Sequence, residues 1–232
     1  MAVLIIDTEV AGLEDVEVIE MAYIKYDTPQ KMRDKEESAR NNTRFKPERP
    51  ITTGAMAVHH IMDEDLVDCP PSSDCRLPEG TVCIVGHNVD FDWKALGSPE
   101  VKRICTLALS RWLWPESTSH TLGAMTYQLN RETARDLLRG AHAAMDDVVL
   151  CRELFIKIID EMHKTGLIDK NTTDFLTLWK FSEAARIPKT MPFGKHKGMA
   201  IADLPADYVR WMLKQTDIDP YLLMALNGGN NA

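Results

Sequence analysis

The segment VLIIDTEVAG (residues 3–12) runs four apolar residues into two carboxylates separated by a single threonine. Such an apolar run reads as a buried strand. Side chains at positions i and i+2 of a strand project from one face, so Asp7 and Glu9 are aimed at the same spot. Two like charges that close raise one another's pKa unless a cation lies between them. The pattern therefore predicts a positive ion at the end of this strand.

Working outward, AVLIID and VEVIEMAYIKY (16–26) read as two strands of a hairpin turning near Gly12. TPQKMRDKEESARNNTR (28–44) is polar and without periodicity, which predicts an exposed excursion, and a weak strand pattern resumes at RFKPERPI (44–51). A short helix follows at TTGAMAVHHIM (52–62), then the proline-rich loop DCPPSSDCRLPEG (68–80) and the strand TVCIVGH (81–87). DFDWKAL (90–96) starts a helix, RICTLAL (103–109) is a strand or its end, and a helix covers Thr121 to Leu129. The clearest helix runs from about Ala143 to His163, where Val148, Cys151, Phe155, Ile158, Ile159 and Met162 recur at spacings of three and four. Strands first, then helices interleaved with strands, predict an α/β fold: a mixed sheet flanked by helices.

The remaining chain predicts a connecting segment over 169–185 and a small C-terminal module over 186–232, with the main domain over 1–168. Within MPFGKHKGMAIADLPADYVRWML (191–213), Gly194 and Gly198 bracket a basic turn and the tail reads as a helix. Residues 180–214 hold seven Lys or Arg against three acids, in a chain of net charge -8. That net charge argues against a nonspecific coat on duplex nucleic acid, which depends on neutralising phosphates, but not against an enzyme with local basic patches. Five cysteines with scattered spacing offer no zinc pattern and read as reduced thiols. No run reaches the roughly 20 apolar residues of a membrane span, and Met1 leads straight into a strand without a signal segment. A cytoplasmic protein is expected.

Two further acidic segments lie at the ends of buried elements. In VGHNVDFDW (85–93), Asp90 and Asp92 fall at a strand-to-helix junction. In GAHAAMDDVV (140–149), His142 stands at the entry to the long helix and Asp147 in its first turns. A single acid at such a place is usually a helix cap or a turn residue. Three segments each delivering one in this order are far more specific.

IIDTEVAG, HNVDFD and HAAMDD resemble the three motifs of the DnaQ-like DEDDh family of 3'-to-5' exonucleases, over roughly residues 2–165. RPITTGAMAVHHI (49–61), RWLWP (111–115) and the C-terminal FGKHKG and DLPADYVRWML are similar to its exodeoxyribonuclease X subgroup. The resemblance implies an RNase H-like fold, metal-ligating carboxylates at Asp7, Glu9, Asp92 and Asp147, and a general base at His142. It places His59 near the 3'-terminal nucleotide, although a capping or surface role for His59 and His60 fits as well. Cys105 stands where the family usually has an Asp, so no role of that acid is carried over.

The chemistry agrees with the residues. Phosphodiester hydrolysis needs a nucleophilic water and stabilised charge on the attacking and leaving oxygens, which two divalent ions about 4 Å apart supply together. Carboxylate oxygens suit Mg²⁺ or Mn²⁺, and an imidazole of unperturbed pKa about 6.5 suits proton removal at neutral pH. Asp90 and Asp146 are expected to be solvated or to support the ligands. Asn88 is a candidate to hold its loop or touch the sugar, and Thr8 to contact the nucleotide through its backbone. Phe91 and Leu13 read as core residues more than as stacking platforms. Lys195 and Lys197 on the basic turn read either as phosphate contacts or as a solvated hairpin tip. The expected activity is release of nucleoside 5'-monophosphates from DNA 3' ends, single-stranded or duplex. The rivals are an exoribonuclease on the same scaffold and a non-catalytic, polymerase-associated subunit.

Overall fold

A computed structural model describes residues 2–140, 143–171 and 173–228. The chain divides into two compact units, with the boundary after Ser182. The first unit is built on a five-stranded sheet: β1 (Ala2–Val10), β2 (Val18–Tyr26), β3 (Ala39–Arg44), β4 (Thr81–Gly86) and β5 (Lys102–Cys105). Their spatial order is β3-β2-β1-β4-β5. The first three strands are antiparallel, whereas β4 joins β1 and β5 joins β4 in parallel. This is the mixed sheet that the pattern predicts, in the RNase H-like arrangement that the resemblance implies.

Helices α1 (Pro29–Arg33), α2 (Thr53–His59), α3 (Asp90–Ala95), α4 (Thr106–Leu113), α5 (Leu122–Leu129), α6 (Ala134–Leu137), α7 (Ala144–Lys164) and α8 (Phe175–Arg186) accompany the sheet along the chain. The long helix α7 packs on β1 and β2, with α4 and α5 against it. Its apolar face, Val148, Cys151, Phe155, Ile158, Ile159 and Met162, is buried as the spacing requires. On the sheet side Leu4, Ile5, Ile6, Ile19 and Ile24 are fully buried, so β1 is locked in place up to the point where its carboxylates begin. No helix among the described residues is long and apolar enough to cross a membrane.

Three expectations about elements are corrected. The excursion over 28–44 holds α1, capped by the Thr28 side chain on the N–H of Lys31, and the strand β3. The strand pattern assigned to RFKPERPI does not form, because β3 has already ended at Arg44 and Phe45 turns into the core. The connecting segment over 169–185 contains most of α8, which carries Leu178 and Ser182 as its buried residues.

The second unit holds the basic turn, α9 (Ala206–Met212) and α10 (Pro220–Gly228). Gly194 and Gly198 take positive φ values of 71° and 85°, which glycine adopts without steric cost. Met191, Ile201, Leu204, Val209, Met212, Leu222, Ala225 and Leu226 form the unit's own apolar core.

Candidate active site

The end of β1 brings Asp7 and Glu9 out on one side, and the first turns of α7, packed on that strand, bring in Asp147. These three residues each offer a carboxylate oxygen, all within 4.8 Å of one another. Asp92 is the fourth acid, delivered by α3 and 4% exposed. It lies outside that close group but near enough for its charge to act on Asp7 and Glu9.

Convergence of acids in a desolvated place opposes their ionisation. Asp7 is held well above the usual carboxylate range, by burial first and then by the charges of Asp92, Asp147, Glu9 and Glu20. Glu9 is pushed up to about 8 by burial, with Asp147, Glu20 and Asp92 adding to it. Burial also raises Asp92 to about 7, against the hydrogen bonds it accepts from Thr8. Carboxylates frustrated in this way, all with hard oxygen donors, are what a divalent cation would relieve, so the donor set fits a Mg²⁺-like ion.

Thr8 gives its N–H and its hydroxyl to Asp92 Oδ1, at 2.9 and 2.8 Å. The two bonds fix Asp92 between β1 and α3. Asp90 is ion-paired with Arg103, whose guanidinium lies 4.0 Å from the centre of the Trp93 ring, and Asp146 is exposed; neither belongs to the close carboxylate group. His142 lies outside the described residues.

One residue of the site was not singled out in the sequence. Glu20 on β2 sits directly across from Glu9 in the antiparallel register and is 3% exposed. Its Oε1 accepts from Arg44 Nε at 2.9 Å, and its Oε2 accepts from the Ala144 N–H at 3.3 Å, at the start of α7. An acid in the middle of the apolar run VIEMA was the available signal.

Beside Glu9 opens a cavity of about 690 Å³, whose lining includes Thr8, Leu13, Thr52, Val58, His59 and Phe91. This is an ordinary size for a small-molecule site. Leu13 is 80% exposed, so it borders the cavity and is not a core residue. His59 is buried; its Nδ1 accepts from the Ile61 N–H at 3.0 Å, and burial lowers its pKa despite an opposing contribution from the Val10 backbone. His60 caps α2 in the left-handed region and is exposed. Asn88 is exposed, with φ 70°, and its carbonyl accepts from the Phe91 N–H. Lys195 and Lys197 belong to the second unit and are exposed on its turn.

The sequence profile described as "Exonuclease" matches residues 4–155. The chain belongs to the exonuclease family. Exodeoxyribonuclease 10 of Escherichia coli K12 is 30% identical over 188 residues, covering 78% of this chain and 80% of that protein. The DNA polymerase III epsilon subunit of Treponema pallidum is 30% identical over 171 residues, covering 66% of this chain and 74% of the subunit. Among solved structures, Exonuclease X in complex with 5' overhanging duplex DNA aligns with a TM-score of 0.56 at 27% identity, over 75% of this chain and 99% of that one. A second profile, described as "Putative quorum-sensing-regulated virulence factor", matches residues 184–217. The exonuclease match contains all four motif acids, and exonucleases of this family use divalent metal ions.

Proposed function

We propose that the protein is a 3'-to-5' exodeoxyribonuclease that uses two Mg²⁺ or Mn²⁺ ions and releases nucleoside 5'-monophosphates. The observation that carries this reading is the convergence of Asp7, Glu9 and Asp147 on one point with Asp92 beside them. These four residues would hold the ions. When bound, such ions activate a water and offset charge on the attacking and leaving oxygens.

The protein's own groups do the rest. His142, five residues ahead of Asp147, removes the proton from the attacking water, a role that rests on its place in the motif. Thr8 keeps Asp92 oriented. The cavity beside Glu9 receives the terminal nucleotide, with Leu13 at its rim as an apolar wedge against the last base and His59 and Phe91 in its wall. Asn88 contacts the sugar, and Lys195 and Lys197 contact phosphates further along the strand. Residues 1–168 act as the catalytic domain and 186–232 as an accessory module. DNA as substrate is supported by the likeness to Exodeoxyribonuclease 10 and to Exonuclease X with duplex DNA. The cytoplasm, where such substrates and reduced thiols occur together, is the expected compartment.

The test is digestion of 5'-labelled DNA, single-stranded and duplex, beside matched RNA, with Mg²⁺ or with EDTA. A ladder descending from the 3' end, seen only with metal and faster on DNA, is expected. His142→Ala should lower kcat by about 10²- to 10⁴-fold, and Asp7→Asn should abolish cleavage. Cleavage that survives EDTA or Asp7→Asn overturns the reading.

A further inference from the structure

A row of three rings rests on the apolar core of the C-terminal unit through its partly buried middle member, Tyr208. His196, inside the glycine-bracketed turn, meets Tyr208 edge-on, with centroids 4.5 Å apart and planes at 63°. Tyr208 in turn lies 5.6 Å from Trp211, one helical turn along α9, at 35°. Trp211 is 54% exposed and Phe193, at the start of the turn, is 50% exposed. Leaving two large rings this open in a unit that buries eight other apolar residues in its core has a cost in unsatisfied apolar surface.

Along the sequence the two ends of the row are bordered by cations, with Asp207 beside the central ring Tyr208. Lys195 and Lys197 flank His196, while Arg210 adjoins Trp211 and Lys214 follows it by one turn; all four are exposed. Among the described residues none of the four forms an ion pair, although Asp203 and Asp207 lie in the same stretch. Open aromatic faces flanked by unpaired cations complement single-stranded nucleic acid, whose bases stack on rings while its phosphates meet Lys and Arg. A duplex keeps its base faces stacked and would leave the rings idle. An apolar protein partner would leave the cations idle.

We infer that this face of the C-terminal unit binds single-stranded nucleic acid, stacking bases on Trp211 and Phe193 and holding phosphates at Lys195, Lys197, Arg210 and Lys214. The inference rests on the exonuclease reading for its class of partner. Tethering would raise the local concentration of strand for the catalytic unit on the same chain.

The full-length protein, kept in EDTA so that nothing is cleaved, is titrated against fluorescein-labelled dT20 by anisotropy over a range of salt. Trp211→Ala should weaken binding about tenfold or more, and Trp211→Phe, which keeps a ring, should retain most of the affinity. Lys195→Ala with Lys197→Ala should flatten the salt dependence by about 0.7 in log-log slope for each phosphate that the protein no longer neutralises. With Mg²⁺, cleavage of a labelled dithymidine dinucleotide should be unchanged in Trp211→Ala. Equal affinity of Trp211→Ala and wild type, or binding indifferent to salt, overturns the inference. Failure of the wild type to cleave any 3' end with Mg²⁺ would count against the exonuclease reading instead, and would leave the binding result standing.

Discussion

Thr8 stands between two acids of the cluster and gives both of its donors to a third, Asp92. Removing the hydroxyl with Thr8→Val keeps the shape and one bond but loosens the carboxylate. Partners that orient metal ligands are typically worth about 10- to 100-fold in activity or metal affinity, so a loss in that range is expected from steady-state assays at limiting Mg²⁺, with Thr8→Ser close to wild type. Glu20 answers to a different measurement. It is a buried acceptor for the Ala144 N–H, and Glu20→Ala leaves that donor unsatisfied at a cost of about 1–3 kcal/mol, readable by urea denaturation. Glu20→Gln, which keeps an acceptor, should lose less. The acids of the cluster were legible in the sequence because each lies at an end of a buried element, and spacing on a strand or helix fixes where such a side chain points. Glu20 was not, because its partner Glu9 is set by the register of the hairpin, and register is a property of two strands at once.

Helix α7 was the most legible element, since a 21-residue helix repeats its apolar face often enough to rise above noise. It carries Asp147 into the site on one end and the core on its face. Phe155→Ala should therefore cost about 3–5 kcal/mol, seen as a lowered denaturation midpoint. The strand β3 was illegible for the opposite reason. ARNNTR offers no apolar alternation, since its place depends on backbone pairing with β2 along an edge where both faces stay partly in water. Helix α8 shows only two buried residues over its 12, too few for a readable period.

At the scale of the whole molecule, the clustered acids couple stability to pH and metal. Asp7, Glu9 and Asp92 have folded pKa values above the unfolded value of about 4. Through these three groups the metal-free folded state binds more protons than the unfolded one, and their contribution to its stability falls as pH rises from about 4 towards about 8. His87, lowered to about 4 by burial between Thr106 and the His120 carbonyl, acts in the opposite sense below its unfolded pKa. That contribution is common to both forms and cancels when they are compared. The Tm difference between Mg²⁺-saturated and EDTA-treated protein should widen from pH 5.5 to pH 8 by scanning fluorimetry; a constant difference would argue against these carboxylates as the ligands. The boundary between the two units, after Ser182, falls inside what the polar composition presented as a connection. The sheet's two borders carry a further consequence. One is β3, with Arg40, Asn41, Asn42 and Arg44 along it, and the other is β5, only four residues long. A neighbouring copy seeking to extend the sheet would have to strip water from a hydrophilic ribbon on one side and find almost no backbone to pair with on the other, so crowded solutions of this protein should resist strand-by-strand clumping.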